Sequence, residues 1–474
     1  MSDIGVDRWV EESGGRQEQY SGWTAPVRRL FDRIGTGWGL LIFTVATATF
    51  PLLVSQGGVR IGITVLLLAM LALGLNVVVG WAGLLDLGYV AFYGFGAYFY
   101  AIVASDQLSL HWPTWVAIPV IVIATALLGA LLSLPSRRLT GDYLAIMTLF
   151  FAQVFVEIVR NFQRLPGVSP DFDLTGGPNG ITGVEPWRLF GFEFDTFTEN
   201  FYLLLGLLVL LVIGLHNIDK SRTGRAWRAL REDTLAAEHM TTPVNRLKML
   251  AFAVGAAIAG LTGTIFAAVQ VGVFPNNFLL VFLITIYAAL ILGGMGSIPG
   301  AVVGAVAVAF TPELLRNPGT AGWLFYGGLV AVLVGIFKKR ALAVLAAAGV
   351  ILLGLLVRVT ALGVWDESIL GVANDTFTGR LLDGWLLVLG DQQDIVSNYA
   401  FILTLVGVLG VIVTKGWWRM AVLIPTAYLA ILVWENKLAL QPSVTRQLLF
   451  GGVLMVMMAV RPQGMLGTRR VEIT

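Results

Sequence analysis

The chain has no cysteine and only three histidines, His111, His216 and His239, scattered along 474 residues. Thiolate metal sites, iron–sulfur clusters and disulfide frameworks are excluded, since each needs sulfur ligands or a clustered imidazole set. Charge is scarce as well. Asp, Glu, Lys and Arg together make up 13% of the sequence, against roughly 25% in a soluble domain. The net charge of +2 gives no electrostatic case for nucleic acid. No Gly-Lys dipeptide occurs, so the chain carries no Walker-type phosphate loop. Nor does a histidine cluster or acid pair stand at active-site spacing. No catalytic residue, metal or cofactor is expected. Residues 1–37 lack a short apolar run after a basic start, so they read as a cytoplasmic tail and not a cleaved signal.

What the chain has in excess is apolar length. Hydrophobic residues make up 57% of it and the mean hydropathy is +0.81. A bilayer core is crossed by about 20 helical residues, and lipid leaves unpaired backbone groups no partner except within a helix. The expected fold is an all-α integral membrane protein, a polytopic helical bundle. Apolar runs bounded by charge, proline or glycine place fourteen spans. They lie near 38–55, 59–80, 84–105, 114–134, 143–160, 201–217, 248–271, 279–295, 298–315, 323–337, 341–358, 397–413, 420–434 and 446–460.

Basic residues orient the spans. With a cytoplasmic N-terminus, most of the 31 Lys and Arg fall on the cytoplasmic side. They group in the tail, at Arg137 and Arg138, between Lys220 and Lys248, at Lys338-Lys339-Arg340, at Lys415 and Arg419, and after residue 460, as the positive-inside rule requires. An even number of spans returns the C-terminus to the cytoplasm.

The long cytoplasmic loop, 218–247, has helical spacing. Trp227, Leu230, Thr234 and Ala237 fall at i, i+3, i+7 and i+10, a narrow apolar-to-small face. Arg225, Arg228 and Arg231 project elsewhere, Arg228 is placed to pair with Glu232 at i+4, and Thr223 is a candidate N-cap. An interfacial helix lying on anionic headgroups accounts for the arginines. A lever docked on a cytoplasmic partner accounts for them too, and also for Ala236-Ala237, which suits close packing better than insertion into lipid.

The string TGRAWRALREDTLAAEHM (223–240), followed by NRLKMLAFAVGAAIAGLTGTIFA, resembles the coupling segment of the permeases of branched-chain amino-acid ABC importers. Four more strings agree in order: GLNVVVGWAGLLDLGYVAFYGFGAYFYAI (74–102), RRLTGDYLAIMTLFFAQVFVEIVRN (137–161), LTGGPNGITGV (174–184) and LGGMGSIPGAVVGA (292–305). RQLLFGGVLMVMMAVRPQGMLG (446–467) resembles the family's C-terminus. The resemblance implies two separate ATPase subunits, a paralogous second permease and an extracytoplasmic solute-binding protein, working in the cell membrane. It assigns the ATPase coupling to Gly224, Arg225, Trp227, Arg228, Leu230, Arg231, Glu232, Asp233 and Ala237. Two departures stand out. Thr241, Thr242 and Pro243 replace a usual glycine, and the segment from 317 to about 445 separates TPELLR (311–316) from RQLLFGGV (446–453), which are neighbours in the family. The expected organisation is a tail (1–37), a permease core (38–316), an inserted four-span segment with an acidic external loop (317–445), and a last core span with its tail (446–474). That is a ten-span core plus four spans.

The substrate path is expected around the break Gly80-Trp81-Ala82-Gly83, where Asn76, Asp86, Tyr89 and Tyr93 gather. A helix restarting there offers free N–H groups to a carboxylate, and Asp86 could offset an ammonium. Equally, Asp86 could cap that helix and the tyrosines could be packing. Glu157 and Asp142 sit near span ends, where water reaches them. Gly296, Gly300 and Gly304, like Gly255, Ala259 and Gly263, read as close helix packing. Two alternatives remain open: the same architecture carrying urea or short amides, and an ion-coupled secondary transporter using Asp86 or Glu157 as its proton site.

Overall fold

The computed structural model describes residues 36–108, 110–136, 141–162, 174–189, 191–314, 316, 318–336, 340–364, 385–387, 393–414, 416–438, 451 and 464–466. The tail before residue 36, Arg137 and Arg138, Lys338 and Lys339, most of the acidic loop and nearly all of the span expected at 446–460 lie outside these residues.

Thirteen of the fourteen expected spans fall on described helices. In chain order these are α1 (Thr36–Ala48), α2 (Phe50–Leu53), α3 (Gln56–Leu75), α4 (Tyr89–Val103), α5 (Thr114–Ser136), α6 (Asp142–Asn161) and α7 (Phe197–Lys220). Two short helices follow, α8 (Arg222–Glu232) and α9 (Thr234–His239), then α10 (Val244–Gln270), α11 (Leu280–Gly293) and α12 (Ile298–Leu314). The series closes with α13 (Pro318–Ile336), α14 (Arg340–Val364), α15 (Gln393–Val413) and α16 (Trp417–Val433). Among the described residues nine helices are long and apolar enough to cross a membrane, and four shorter ones are apolar too. This is a multi-pass helical membrane protein.

Three spans differ in shape from the expectation. The first breaks at Thr49 into α1 and α2, because Pro51 cannot donate to the preceding turn. The second widens into a π-helical turn, Asn76–Trp81, at its end. The third starts at Tyr89 and not at 84, with residues 82–88 running as an irregular strap between the two helices.

The contacts divide the chain into two units, 1–309 with 454–474, and 310–453. In the first, α10 is the central helix, packed chiefly against α5 and α4 and also against α3. Small residues make this possible. A methyl on Gly96 of α4 would stand 2.6 Å from the Cα of Gly260 in α10, and one on Gly263 would stand 2.7 Å from the amide of Ala97. The two backbones touch, as expected where small residues repeat at helical spacing. Gly300 and Gly304 press in the same way on Gly293, whereas Gly296 sits in a turn with φ +88°.

One end of this unit is closed by α8. The other end carries the turn Gly177–Asn179 and β1 (Ile181–Thr182), paired antiparallel with β4 (Gly272–Val273) just beyond α10. There the Glu185 amide donates to Ala104 and the Tyr100 hydroxyl to the Glu185 carbonyl. A small hairpin, β2 (Arg188–Leu189) with β3 (Phe192–Glu193), lies alongside. Glu193 accepts from Arg188 Nε at 2.8 Å and holds that guanidinium's pKa above its usual value. A capping box of Thr196 and Glu199 then starts α7.

The second unit has its own core, built on Val350, Leu386, Ala427, Tyr428 and Ile431. Phe325 lies flat on Trp434 with ring centroids 4.3 Å apart and planes 4° from parallel. Beside them the Tyr326 hydroxyl donates to Glu435 Oε1 at 2.6 Å.

Candidate functional site

The loop singled out by its periodicity folds as a pair of short helices with a corner between them. Ser221 starts α8, its Oγ accepting from the Gly224 amide, so Ser221 and not Thr223 is the N-cap. Glycine at 224 fits because a methyl there would meet the Ile218 and Asp219 carbonyls at 2.5 Å. Asp233 ends α8 and starts α9, its Oδ1 accepting from the Leu235 and Ala236 amides at 2.8 and 3.0 Å.

The apolar face is buried against protein. Gly224, Trp227, Leu230 and Ala237 are all buried. Trp227 is fully enclosed: its indole N–H donates to the Leu247 carbonyl at 2.9 Å, and its ring stacks on Trp81 with centroids 6.2 Å apart. A face so used is no longer available to headgroups. Truncating a buried aromatic of this size costs about 3–5 kcal/mol, so Trp227 anchors α8 to the core.

The arginines divide. Arg228 does not pair with Glu232; it meets Asp219 Oδ1 at 3.4 Å and donates to the Asp219 carbonyl at 2.7 Å. The tight Ser221 corner brings the end of α7 closer to Arg228 than the next turn of its own helix. Arg225 donates to the Lys220 carbonyl. Both remain exposed, as do Glu232 and Asp233. Arg231, expected to project away, instead reaches inward and donates to the Gly80 carbonyl at the end of the π turn. A cation there satisfies a helix-end carbonyl left without an intrahelical donor. Its stem covers Gly83, where φ is +70° and a methyl would stand 2.8 Å from Arg231 Cγ.

The π turn leads further in. Asn76 Oδ1 accepts the Gly296 amide at 2.7 Å, and the Trp81 indole N–H donates to the Gly296 carbonyl at 3.1 Å. Behind that turn, the amides of Met465 and Leu466 donate to the Leu292 and Gly293 carbonyls at the end of α11. Ser221, Asp219 and the bonds of Trp81 and Asn76 to Gly296 were missed from sequence, where Gly296 was read as helix packing; the available signals were the glycine-rich strings at 80–83 and 292–305.

All four residues expected along the path are buried. Asn76 spends its oxygen on Gly296. Asp86 accepts the Gly88 amide at 2.8 Å in a turn just before α4, whose N-cap is Gly88 without a side-chain bond. The Asp86 carbonyl accepts from the Tyr287 hydroxyl at 2.6 Å, while Thr148 Oγ1 receives the Leu87 amide at 2.9 Å. Tyr89 packs beneath Gly74. Tyr93 sits among Phe266, Phe278 and Phe282, with centroids 5.2 to 5.5 Å away. Among the described residues no group of three His, Cys, Asp or Glu could hold a metal ion.

The bundle is a multi-pass helical membrane unit with the 218–247 loop folded back against it. Residues 59–337 match the family described as "Branched-chain amino acid transport system / permease component", and the chain belongs to that family. It is 36% identical over 326 residues to the high-affinity branched-chain amino acid transport system permease protein LivM of Salmonella typhimurium, covering 64% of this chain and 74% of that one. The LivM protein of Escherichia coli matches to the same extent. The Escherichia coli permease LivH is 26% identical over 267 residues, 54% of this chain and 83% of its own. No solved structure matches.

Proposed function

We propose that this chain is one of two paralogous permease subunits of an ATP-driven importer of branched-chain amino acids, with α8 and α9 as its coupling element. The family carries the transport class, and similarity to both LivM and LivH favours a paired permease. The single observation behind the coupling role is the division of α8. Trp227, Leu230 and Gly224 lock it to the bundle, while Arg225, Arg228, Glu232 and Asp233 form an open rim. A helix held by one face and charged on the other suits docking into a groove on a nucleotide-hydrolysing subunit. Arg231 and the Trp81–Trp227 stack tie any movement of α8 to the π turn. Asn76, Asp86, Tyr89 and Tyr93 then frame the inner break of the path, from which a rocking motion opens or closes it.

The α8 end is cytoplasmic, since the basic residues from Lys220 to Lys248 gather there. The solute-binding protein then delivers cargo at the β1–β4 end, and both termini are cytoplasmic. Two ATPase subunits supply the energy. The test is uptake of radiolabelled leucine into proteoliposomes containing both permeases, the ATPases and the binding protein. Uptake is expected to stop when hydrolysis is blocked. Full uptake without hydrolysis, or its collapse with the ion gradient alone, removes this reading; saturation by urea in place of leucine changes the cargo.

A further inference from the structure

One face of α6 does not look like its neighbours. The exposed faces of α5 and α7 are apolar or glycine at mid-span, with Ile123, Leu127 and Leu131 on one and Leu210 and Ile213 on the other. On α6, Leu144, Ala145, Thr148, Ala152, Val156 and Val159 are buried. The opposite stripe carries Tyr143, Ile146 and Phe150 and then, one turn apart, Gln153, Glu157 and Asn161, all exposed. Gln153 lies near the middle of this 20-residue helix, about 12 Å from its last residue at 1.5 Å per residue. A polar side chain at that depth faces a bundle interior or a water-filled cavity, because hydrocarbon offers it no partner.

The polar groups are arranged in opposite signs. Glu157 Oε1 stands 3.4 Å from Arg160 Nη1, with the two side chains 61% and 35% exposed. Arg160 Nη2 is steadied by Asn276 Oδ1 at 3.1 Å, and Asn161 Nδ2 donates to the Glu157 carbonyl at 2.8 Å. Phe150, Val154 and Ile158 flank Glu157 on the same open face, a shallow surface formed by residues 150–162. A carboxylate and a guanidinium side by side match the ammonium and carboxylate of an amino acid, and the apolar residues match an aliphatic side chain.

We propose that this face of α6 is a binding station for an apolar α-amino acid on its way through the membrane. Glu157 and the Gln153 amide oxygen take the ammonium, Arg160 takes the carboxylate, and Phe150 with Ile158 take the side chain. The proposal rests on the amino-acid reading above and adds the residues of recognition to it. Arg160 and Asn161 stand at the β1–β4 end, so arriving cargo meets the charged pair first.

The cysteine-free sequence allows a direct test in the assembled transporter. Gln153→Cys is compared with Leu210→Cys, a position on α7 that is 66% exposed, for reaction with a cationic, water-soluble methanethiosulfonate. Gln153→Cys is expected to react at least about 10-fold faster, and leucine-loaded binding protein with ATP is expected to slow that reaction severalfold. Equal rates would show a lipid-facing or sealed stripe and overturn the proposal; fast labelling indifferent to leucine would overturn the station. Glu157→Gln is expected to raise the KM for leucine about 10-fold, equivalent to about 1.4 kcal/mol; an unaltered KM counts against it. Failure of the unsubstituted transporter to move any branched-chain amino acid removes the functional reading by itself, while the Gln153→Cys rate still decides whether water reaches α6.

Discussion

At the scale of single residues, the buried and exposed members of α8 should part company on mutation. Trp227→Ala removes an enclosed indole, its stack on Trp81 and its bond to Leu247. It should cost about 3–5 kcal/mol, read as a lower Tm of the purified protein in detergent. Gly83→Ala forces φ near +70° and crowds Arg231, with an expected loss of about 1–3 kcal/mol in the same assay. Arg228→Ala, by contrast, removes an ion pair whose arginine side chain is 51% exposed and should shift stability by under about 1 kcal/mol. Sequence periodicity identified Trp227, Leu230 and Ala237 as one face. It could not foresee what covers them, because the cover comes from Trp81, far away in the chain. Arg231 was assigned outward by charge, yet a long aliphatic stem lets its head reach a carbonyl inside. Arg228 chose Asp219 over Glu232 for a similar reason: the i+4 rule describes an isolated helix, and a tight corner overrides it.

At the scale of elements, the coupling role proposed for α8 can be tested apart from its packing. Replacing Arg225, Arg228 and Glu232 together by alanine leaves the buried face intact, so the protein should still fold and insert. ATPase subunits should then fail to copurify with it in mild detergent, and ATP hydrolysis should no longer respond to loaded binding protein. Retained copurification and response would return α8 to a purely structural role. The spans were legible because hydrocarbon imposes one rule on every crossing segment. The π turn at Asn76–Trp81 was legible only as a break near Asn76 and Gly80: its shape goes with bonds to Gly296 and Arg231, which lie far along the chain. The late start of α4 has the same origin, since Leu84 and Leu87 are apolar enough to read as helix while Asp86 and Thr148 hold that stretch as a strap.

At the scale of the whole molecule, the unit over 310–453 has a core independent of the rest. A chain lacking 317–440 should still insert, and reporter tags at its two ends should both lie on the cytoplasmic side in protease-protection assays; an external C-terminal tag would break the even-span topology. The first unit carries a different kind of consequence at the seam of α4 and α10. Where Gly96 meets Gly260, neither partner has a side chain left to give up. A search for second-site revertants of Gly96→Ala should therefore recover none on the facing helix. Gly260→Ala collides instead with Thr125 of α5, whose Cβ would lie 2.7 Å away, and trimming that threonine to glycine offers a way back. The bundle can be repaired along one seam and not along the other.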